Sequence, residues 1–576
     1  MATAEPQAAE TGRLRGARAL RWLLAALLVA LLLLLVVFPI GMLLYASLVD
    51  SPPRPGAPPQ QFTLANYAAV LKGANLAALS NSFLIGLGGT VVAVVIGASL
   101  AWFSARTDVP GRAMVQVAGI MPLFIPALVG ALAWSFVASP TSGYLNLAFA
   151  SLGFEFNVNV YSLPGMIFVF GLYYAPYSFL FLNSALALMN PEFEEAATVH
   201  GGELRRVLSG VTFPLVKPAL LGASILTFAL VLENFTVPQV LGGPVGIPTL
   251  PSRIYSLMTS SPARPNEATV VGVLLMVLMA VLILGQNRLL RGRSYTTVTG
   301  KGFRPRVIEL GRWRWGAFAA ALAFLLLAVG IPFLALLQTA MRQNLYLSGF
   351  GDLFDTSQLS FDVFGEVLAD PRVRLGLRNS IILGTMTALV GGALHLLLAY
   401  ISHRTRLPGR RMLEYLAVAP IAIPSLVLSL GFLWAWINLP VPVYGTMAVL
   451  VMAYTVRFMP QGYRSLTSTI GQVHADLEDS AFVSGASRAR AVWSVTVPLI
   501  RTGVISTMLL LFILAVRELT ASLFLATFDT RVLAVVLFDT WVNGRLDQVA
   551  AISILYSLLL LVVTLVARRW FRVDQI

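Results

Sequence analysis

The sequence predicts an all-α polytopic membrane protein, with about twelve transmembrane helices in two homologous six-helix halves. Three observations predict it: the apolar bulk of the chain, its division into runs long enough to cross a bilayer, and an ordered internal repeat. Of 576 residues, 57% are hydrophobic and 11% charged, against about 45–50% and about 25% in soluble domains. That much apolar surface cannot be buried in one soluble core, so a bilayer must be its solvent. The 46 Gly and 32 Pro agree, because membrane helices carry more of both than soluble helices do.

Twelve segments supply the roughly 20 apolar residues that a crossing helix needs. They are 22–46, 82–104, 114–138, 163–188, 218–241, 268–287, 315–340, 379–401, 412–437, 443–463, 501–525 and 548–568. Lipid offers no partner to free backbone groups, so helices are expected. The segments near 114–138, 163–188 and 443–463 contain Pro and Gly and have the softest ends. Arg13, Arg15, Arg18 and Arg21 precede the first run as they would in a signal peptide. The run Trp22 to Leu44 is too long for a signal's apolar region and lacks a small-residue cleavage site, so it reads as a span.

The net charge is +14. Lys and Arg favour the cytoplasmic loops of membrane proteins. Here 28 of the 40 fall on one side of the topology and 10 on the other, with Arg457 and Arg517 in or near spans. Both termini and the loops 190–217 and 464–500 are therefore expected in the cytoplasm. The outer loops are 47–81, 139–162, 242–267, 341–378 and 526–547. No basic helix or stripe of stacking aromatics points to nucleic acid. The chain has no Cys, which excludes disulfides, thiolate metal sites and thiol catalysis within it.

The repeat orders the rest. Asn81-Ser82 and Asn379-Ser380 match at a spacing of 298, as do Pro110-Gly111-Arg112 with Pro408-Gly409-Arg410, and Pro122 and Pro126 with Pro420 and Pro424. Further on the spacing is 284: Pro176 with Pro460, Gly201 with Gly485, Pro214-Leu215 with Pro498-Leu499, Thr236 with Thr520. An outer loop absorbs the difference. Equal order and six spans each imply halves of the same orientation. The expected divisions are a cytoplasmic tail 1–21, a first half 22–290, a basic linker 291–312 and a second half 313–576.

Between the fourth and fifth spans of each half lies the informative block. The first copy reads Glu194-Glu195-Ala196-Ala197-Thr198-Val199-His200-Gly201 and runs on to Phe213-Pro214-Leu215. The second reads Glu478-Asp479-Ser480-Ala481-Phe482-Val483-Ser484-Gly485 and runs on to Val497-Pro498-Leu499. Residues 191–200 suit a short helix, with Pro191 at its start and carboxylates in the first turn, where the helix dipole favours them. Ala196 and Ala197 leave a slim face, and Gly201 can end the helix in a conformation other residues resist.

This block resembles the EAA loop of binding-protein-dependent ABC importer permeases. The first copy keeps Glu195, Ala196, Ala197 and Gly201, with Phe213 in place of Leu before Pro214. The second copy departs further, with Asp479 for Glu and Ser480 for Ala, and retains Ala481 and Gly485. Leu232-Glu233-Asn234-Phe235-Thr236-Val237-Pro238 and Arg517-Glu518-Leu519-Thr520 resemble fused permeases of ferric iron import; thiamine, phosphonate, polyamine and sulfate importers are close relatives. The resemblance implies a type I importer fold and a multi-pass protein of the bacterial cytoplasmic (inner) membrane. It implies that Glu194, Glu195, Ala196, Ala197, Gly201, Pro214, Glu478, Asp479, Ala481, Gly485 and Pro498 belong to loops coupling to two cytoplasmic ATPase subunits. It also implies a periplasmic or lipid-tethered binding protein, surrounding membrane lipids, and no required homodimer.

ATP would be used by the partner, not bound here. Gly300-Lys301-Gly302 fails the phosphate-loop pattern at both ends, since position 295 is Tyr and position 302 is Gly. His200, His395, His403 and His474 have no ligand spacing, and neither a catalytic set nor a metal site is expected. His395 is expected to pack between helices. Glu233, Asn234, Arg457, Arg517 and Glu518 lie in or near spans, where ionisable groups face a bundle interior or a wet path. A translocation role for them stands beside a structural one, such as a Glu518–Arg457 pair. The rival class is a secondary transporter, which would lack an ATPase-docking loop.

Overall fold

The computed structural model describes residues 22–290 and 307–571, apart from single positions 57, 71, 191, 348, 406 and 475. The tail 1–21, most of the linker 291–312, and Pro191 as a helix start lie outside the described residues. Among the described residues all regular structure is helical, with a few isolated β-bridges such as Val49 with Phe62.

Nine described helices are long and apolar enough to cross a membrane: Trp22–Ser47, Ala74–Arg106, Leu163–Ala187, Leu208–Leu232, Pro265–Leu289, Trp313–Met341, Pro371–Arg404, Val492–Arg517 and Leu546–Val566. Two helix pairs pass the same test of length and composition only when taken together, and both are sharply bent. Arg112–Phe124 with Ala127–Val137 turns by 99°, and Arg410–Ala422 with Ser425–Asn438 by 114°. Both bends fall at the matched prolines. A residue before Pro is driven out of the helical region, and Ile125 and Ile423 are accordingly extended, at ψ 116° and 110°.

The expected span 443–463 is divided. An apolar helix Met447–Arg457 meets a second, Met459–Gly471, at Phe458, whose φ of −98° and ψ of 6° leave the helix. Pro176, the counterpart of Pro460, sits inside an unbroken 25-residue helix. The fifth and eleventh spans also begin about ten residues earlier than their apolar runs. They are Leu208–Leu232 and Val492–Arg517 rather than 218–241 and 501–525. Pro214 and Pro498 consequently lie inside these helices, directly after the π-helical turns Leu208–Thr212 and Val492–Thr496, instead of closing a loop.

The chain forms two compact units that do not follow its sequence halves. One contains Tyr67–Asp370 and Leu537–Leu559. The other contains the described residues up to Asn66, Pro371–Val536, and those from Leu560 on. Each takes a leading helix from the other half of the sequence. In the first unit Trp313–Met341 packs on Ala127–Val137, and the Thr339 hydroxyl lies 2.6 Å from that of Tyr144. In the second unit Trp22–Ser47 packs on Ser425–Asn438. Gly431 faces the backbone of Pro39 there, so closely that a Cβ would come within 2.8 Å of its carbonyl oxygen.

Candidate functional site

The two loop helices form as the sequence implies. Glu192–Val199 and Asp476–Val483 are each eight residues long, with three carboxylates in the first turn. Asn190 caps the first helix, its Oδ1 accepting from Glu192 N at 2.9 Å. The C-termini are alike. Gly201 donates to the Thr198 carbonyl and Gly202 to that of Ala197; Gly485 donates to Phe482 and Ala486 to Ala481, all at 2.9–3.0 Å. These paired bonds require a left-handed residue, and Gly201 and Gly485 have φ of +80° and +87°.

A β-carbon at either glycine would meet nothing within 4 Å. The glycines thus answer a backbone need, with no tight contact among the described residues.

The first-turn carboxylates divide by direction. Glu195 and Asp479 are exposed, as are Ala196 and Ser480, while Ala197 and Ala481 are half-buried. Glu194 and Glu478 are turned inward, with 2% and 6% exposure. Glu194 forms an ion pair with Arg106, the last residue of Ala74–Arg106, whose side chain is fully buried. Its other oxygen accepts from Thr212 Oγ1 at 2.6 Å. In the second unit Glu478 accepts from Thr496 Oγ1 at 2.6 Å and from Tyr400 OH at 3.1 Å. Arg404 Nε stands 4.0 Å from the same carboxylate. The Arg404 Nη2 group donates to the carbonyls of Ile470 and Val473.

Thr212 and Thr496 each close a five-residue π-helical turn, Leu208–Thr212 and Val492–Thr496, immediately before Pro214 and Pro498. The wide turn sits where the proline cannot donate. Arg106, Thr212, Tyr400, Arg404 and Thr496 were not legible as site residues from the motif. The repeat held the clue: Arg106 and Arg404 are 298 apart, Thr212 and Thr496 are 284 apart.

The ionisable residues near the spans, Glu233, Arg457, Arg517 and Glu518, are half-buried. Glu233 follows the last residue of its helix and is half-buried. Asn234 shapes the turn after it, accepting from Val237 N at 3.0 Å and donating to Tyr174 OH at 2.8 Å. Arg457 and Arg517 end their helices, both half-buried. Glu518 accepts from Ser425 Oγ at 2.9 Å and Ala521 N at 3.1 Å. His395 is fully buried, its Nε2 lying 3.1 Å from the Thr455 carbonyl and its ring against Gly462. It packs between helices.

The model of the family "Binding-protein-dependent transport system inner membrane component" matches residues 74–294 and 380–573. The chain belongs to that family. It carries the permease domain twice and is a multi-pass inner-membrane permease of the ABC importer class, a transport component and not a catalytic subunit. Among its relatives is the ferric transport system permease protein FbpB of Actinobacillus pleuropneumoniae, 25% identical over 84% of this chain and 69% of that protein. A probable ABC transporter permease of Sinorhizobium fredii is 26% identical over 86% and 87%. A solved bacterial ABC transporter that imports the acidic polysaccharide alginate aligns with a TM-score of 0.41 at 20% identity, over 49% of this chain and 99% of that one.

Proposed function

We propose that the chain forms the whole pore of an ATP-driven importer of ferric iron, with Glu192–Val199 and Asp476–Val483 docking on two cytoplasmic ATPase subunits. One observation carries the docking reading. Both loop helices leave apolar side chains bare at matched positions: Phe193 at 53% and Val199 at 85% exposure, Leu477 at 46% and Val483 at 90%. An apolar edge repeated in both helices, beside Glu195 and Asp479, is suited to a partner's groove. The chain supplies both permease halves, so a second copy is unnecessary. ATP-driven closure of the partner subunits would draw the loop helices together and open the pore outward; hydrolysis would reset it.

Ferric iron as cargo is supported by relatives named for ferric transport. A binding-protein partner, periplasmic or lipid-tethered, is supported by the family's description as binding-protein-dependent. It would set most of the selectivity. The test is reconstitution in proteoliposomes with an ABC ATPase and a binding protein from the same organism, chosen by their co-purification with this chain. ATP-dependent uptake of radiolabelled ferric iron is expected, with no ATP hydrolysis by the isolated chain. Uptake of thiamine, phosphonate, a polyamine or sulfate instead would overturn the iron reading alone. Uptake driven by a proton gradient without ATP would overturn the importer mechanism.

A further inference from the structure

We propose that Glu194 and Glu478 are positioning residues that pin each loop helix to the membrane helices on both sides of it, so that a push on the loop moves the spans as one body. This rests on the docking reading above and assigns the two carboxylates a different task from the exposed Glu195 and Asp479.

The need for such a device follows from the chain itself. An eight-residue helix is marginal alone, and each loop helix leads out through a left-handed glycine, Gly201 or Gly485. A glycine joint permits many backbone conformations. Force applied to Phe193 or Val199 would be absorbed by rotation at that joint unless a second attachment held the helix.

Glu194 supplies the attachment. It joins three elements at one buried carboxylate: Arg106 from the end of Ala74–Arg106, Thr212 from the start of Leu208–Leu232, and the loop helix itself. Glu478 joins Tyr400 and Thr496 in the same topology. The π-turn recurs in both copies at the position that presents the threonine, and such turns are frequent at functional sites.

The two clasps differ in stiffness. The first is an ion pair with side-chain exposures of 0% and 2%, where low local polarity strengthens the attraction. The second relies on two hydroxyls. Arg404 lies 4.0 Å off and spends donors on two backbone carbonyls. The first loop is therefore the stiffer arm.

The experiment uses the full chain in lipid nanodiscs, alone and with its ATPase. Glu194→Gln would strand the buried Arg106 charge and can fail to fold. The working variants are therefore Thr212→Val and the double change Arg106→Met with Glu194→Leu, which removes both charges together. Glu478→Gln tests the second arm. In the isolated chain, backbone amides of 192–199 are expected to exchange at least tenfold faster in the double variant, with those of 80–100 unchanged. In the complex, the ATPase is expected to remain bound and active, while substrate moved per ATP hydrolysed falls at least fivefold. Thr212→Val and Glu478→Gln are expected to give smaller losses.

Unchanged exchange and unchanged transport per ATP in the inserted double variant would overturn the proposal. So would faster exchange with full coupling, since the pin would then carry no motion. If the unaltered chain binds no ATPase, the docking reading fails, and the exchange comparison still decides whether the carboxylate pins the helix.

Discussion

Gly97 packs directly on the backbone of Ala175: a β-carbon at position 97 would lie 2.5 Å from the Ala175 carbonyl oxygen and 2.8 Å from the Phe179 nitrogen. The contact lets Ala74–Arg106 and Leu163–Ala187 approach at backbone distance, which is how membrane helices associate where lipid offers no hydrophobic drive. Gly97→Val meets backbone that cannot rotate away. Overpacking of this kind costs about 1–3 kcal/mol or more. The yield of folded, monodisperse protein in mild detergent is expected to fall steeply. Gly285→Val, with nothing within 4 Å, is expected to behave as the unaltered chain. Equal yields would refute the close contact.

Asn379 donates to the carbonyls of both Asp529 and Arg531, each at 2.9 Å. Its counterpart Asn81 donates to the Pro248 carbonyl at 2.9 Å. Each bond contributes about 0.5–1.5 kcal/mol net, and Asn379 makes two of them from a buried side chain. Asn379→Ala is expected to lower the unfolding temperature further than Asn81→Ala, in a thermal scan of detergent-solubilised protein. The opposite order would show that the outer turn is held by other contacts.

The charge bias predicts that the loop helices face the cytoplasm. Ser357 and Ser209 are both exposed and lie on opposite sides of that topology, and the chain has no native Cys to interfere. In intact spheroplasts, a membrane-impermeant thiol reagent is expected to label Ser357→Cys and to spare Ser209→Cys until the membrane is permeabilised. Labelling in the reverse order would invert the orientation.

Gly201 and Gly485 provide a test of the loop ends. Valine at φ near +80° costs about 1–3 kcal/mol of strain, which would unwind the helix end and redirect the bare Val199 or Val483. Gly201→Val and Gly485→Val are expected to insert at normal abundance yet lose ATPase co-purification and uptake. Asparagine, which tolerates the left-handed region, is expected to retain more of both. Full association in both valine variants would remove these helices from the docking role.

The sequence by itself determined the membrane class, the repeat and the loop helices, because each is written locally. Apolar runs count out spans, matched prolines mark the bends at Pro126 and Pro424, and a glycine after a run of carboxylates and alanines marks a helix end. Burial was the part it left open. Adjacent glutamates 194 and 195 look equivalent in a motif. On a helix they point about 100° apart, and only the packed structure decides that Glu194 turns in to Arg106 while Glu195 turns out. The same holds for span ends. Hydropathy registers lipid-facing side chains, whereas Leu208–Thr212 and Val492–Thr496 extend the helices ahead of the apolar runs, with Thr212 and Thr496 bonded to buried carboxylates. The exchange of leading helices between units is likewise tertiary. Trp22–Ser47 and Trp313–Met341 are apolar over most of their length, and little local in them selects the helix on which each packs.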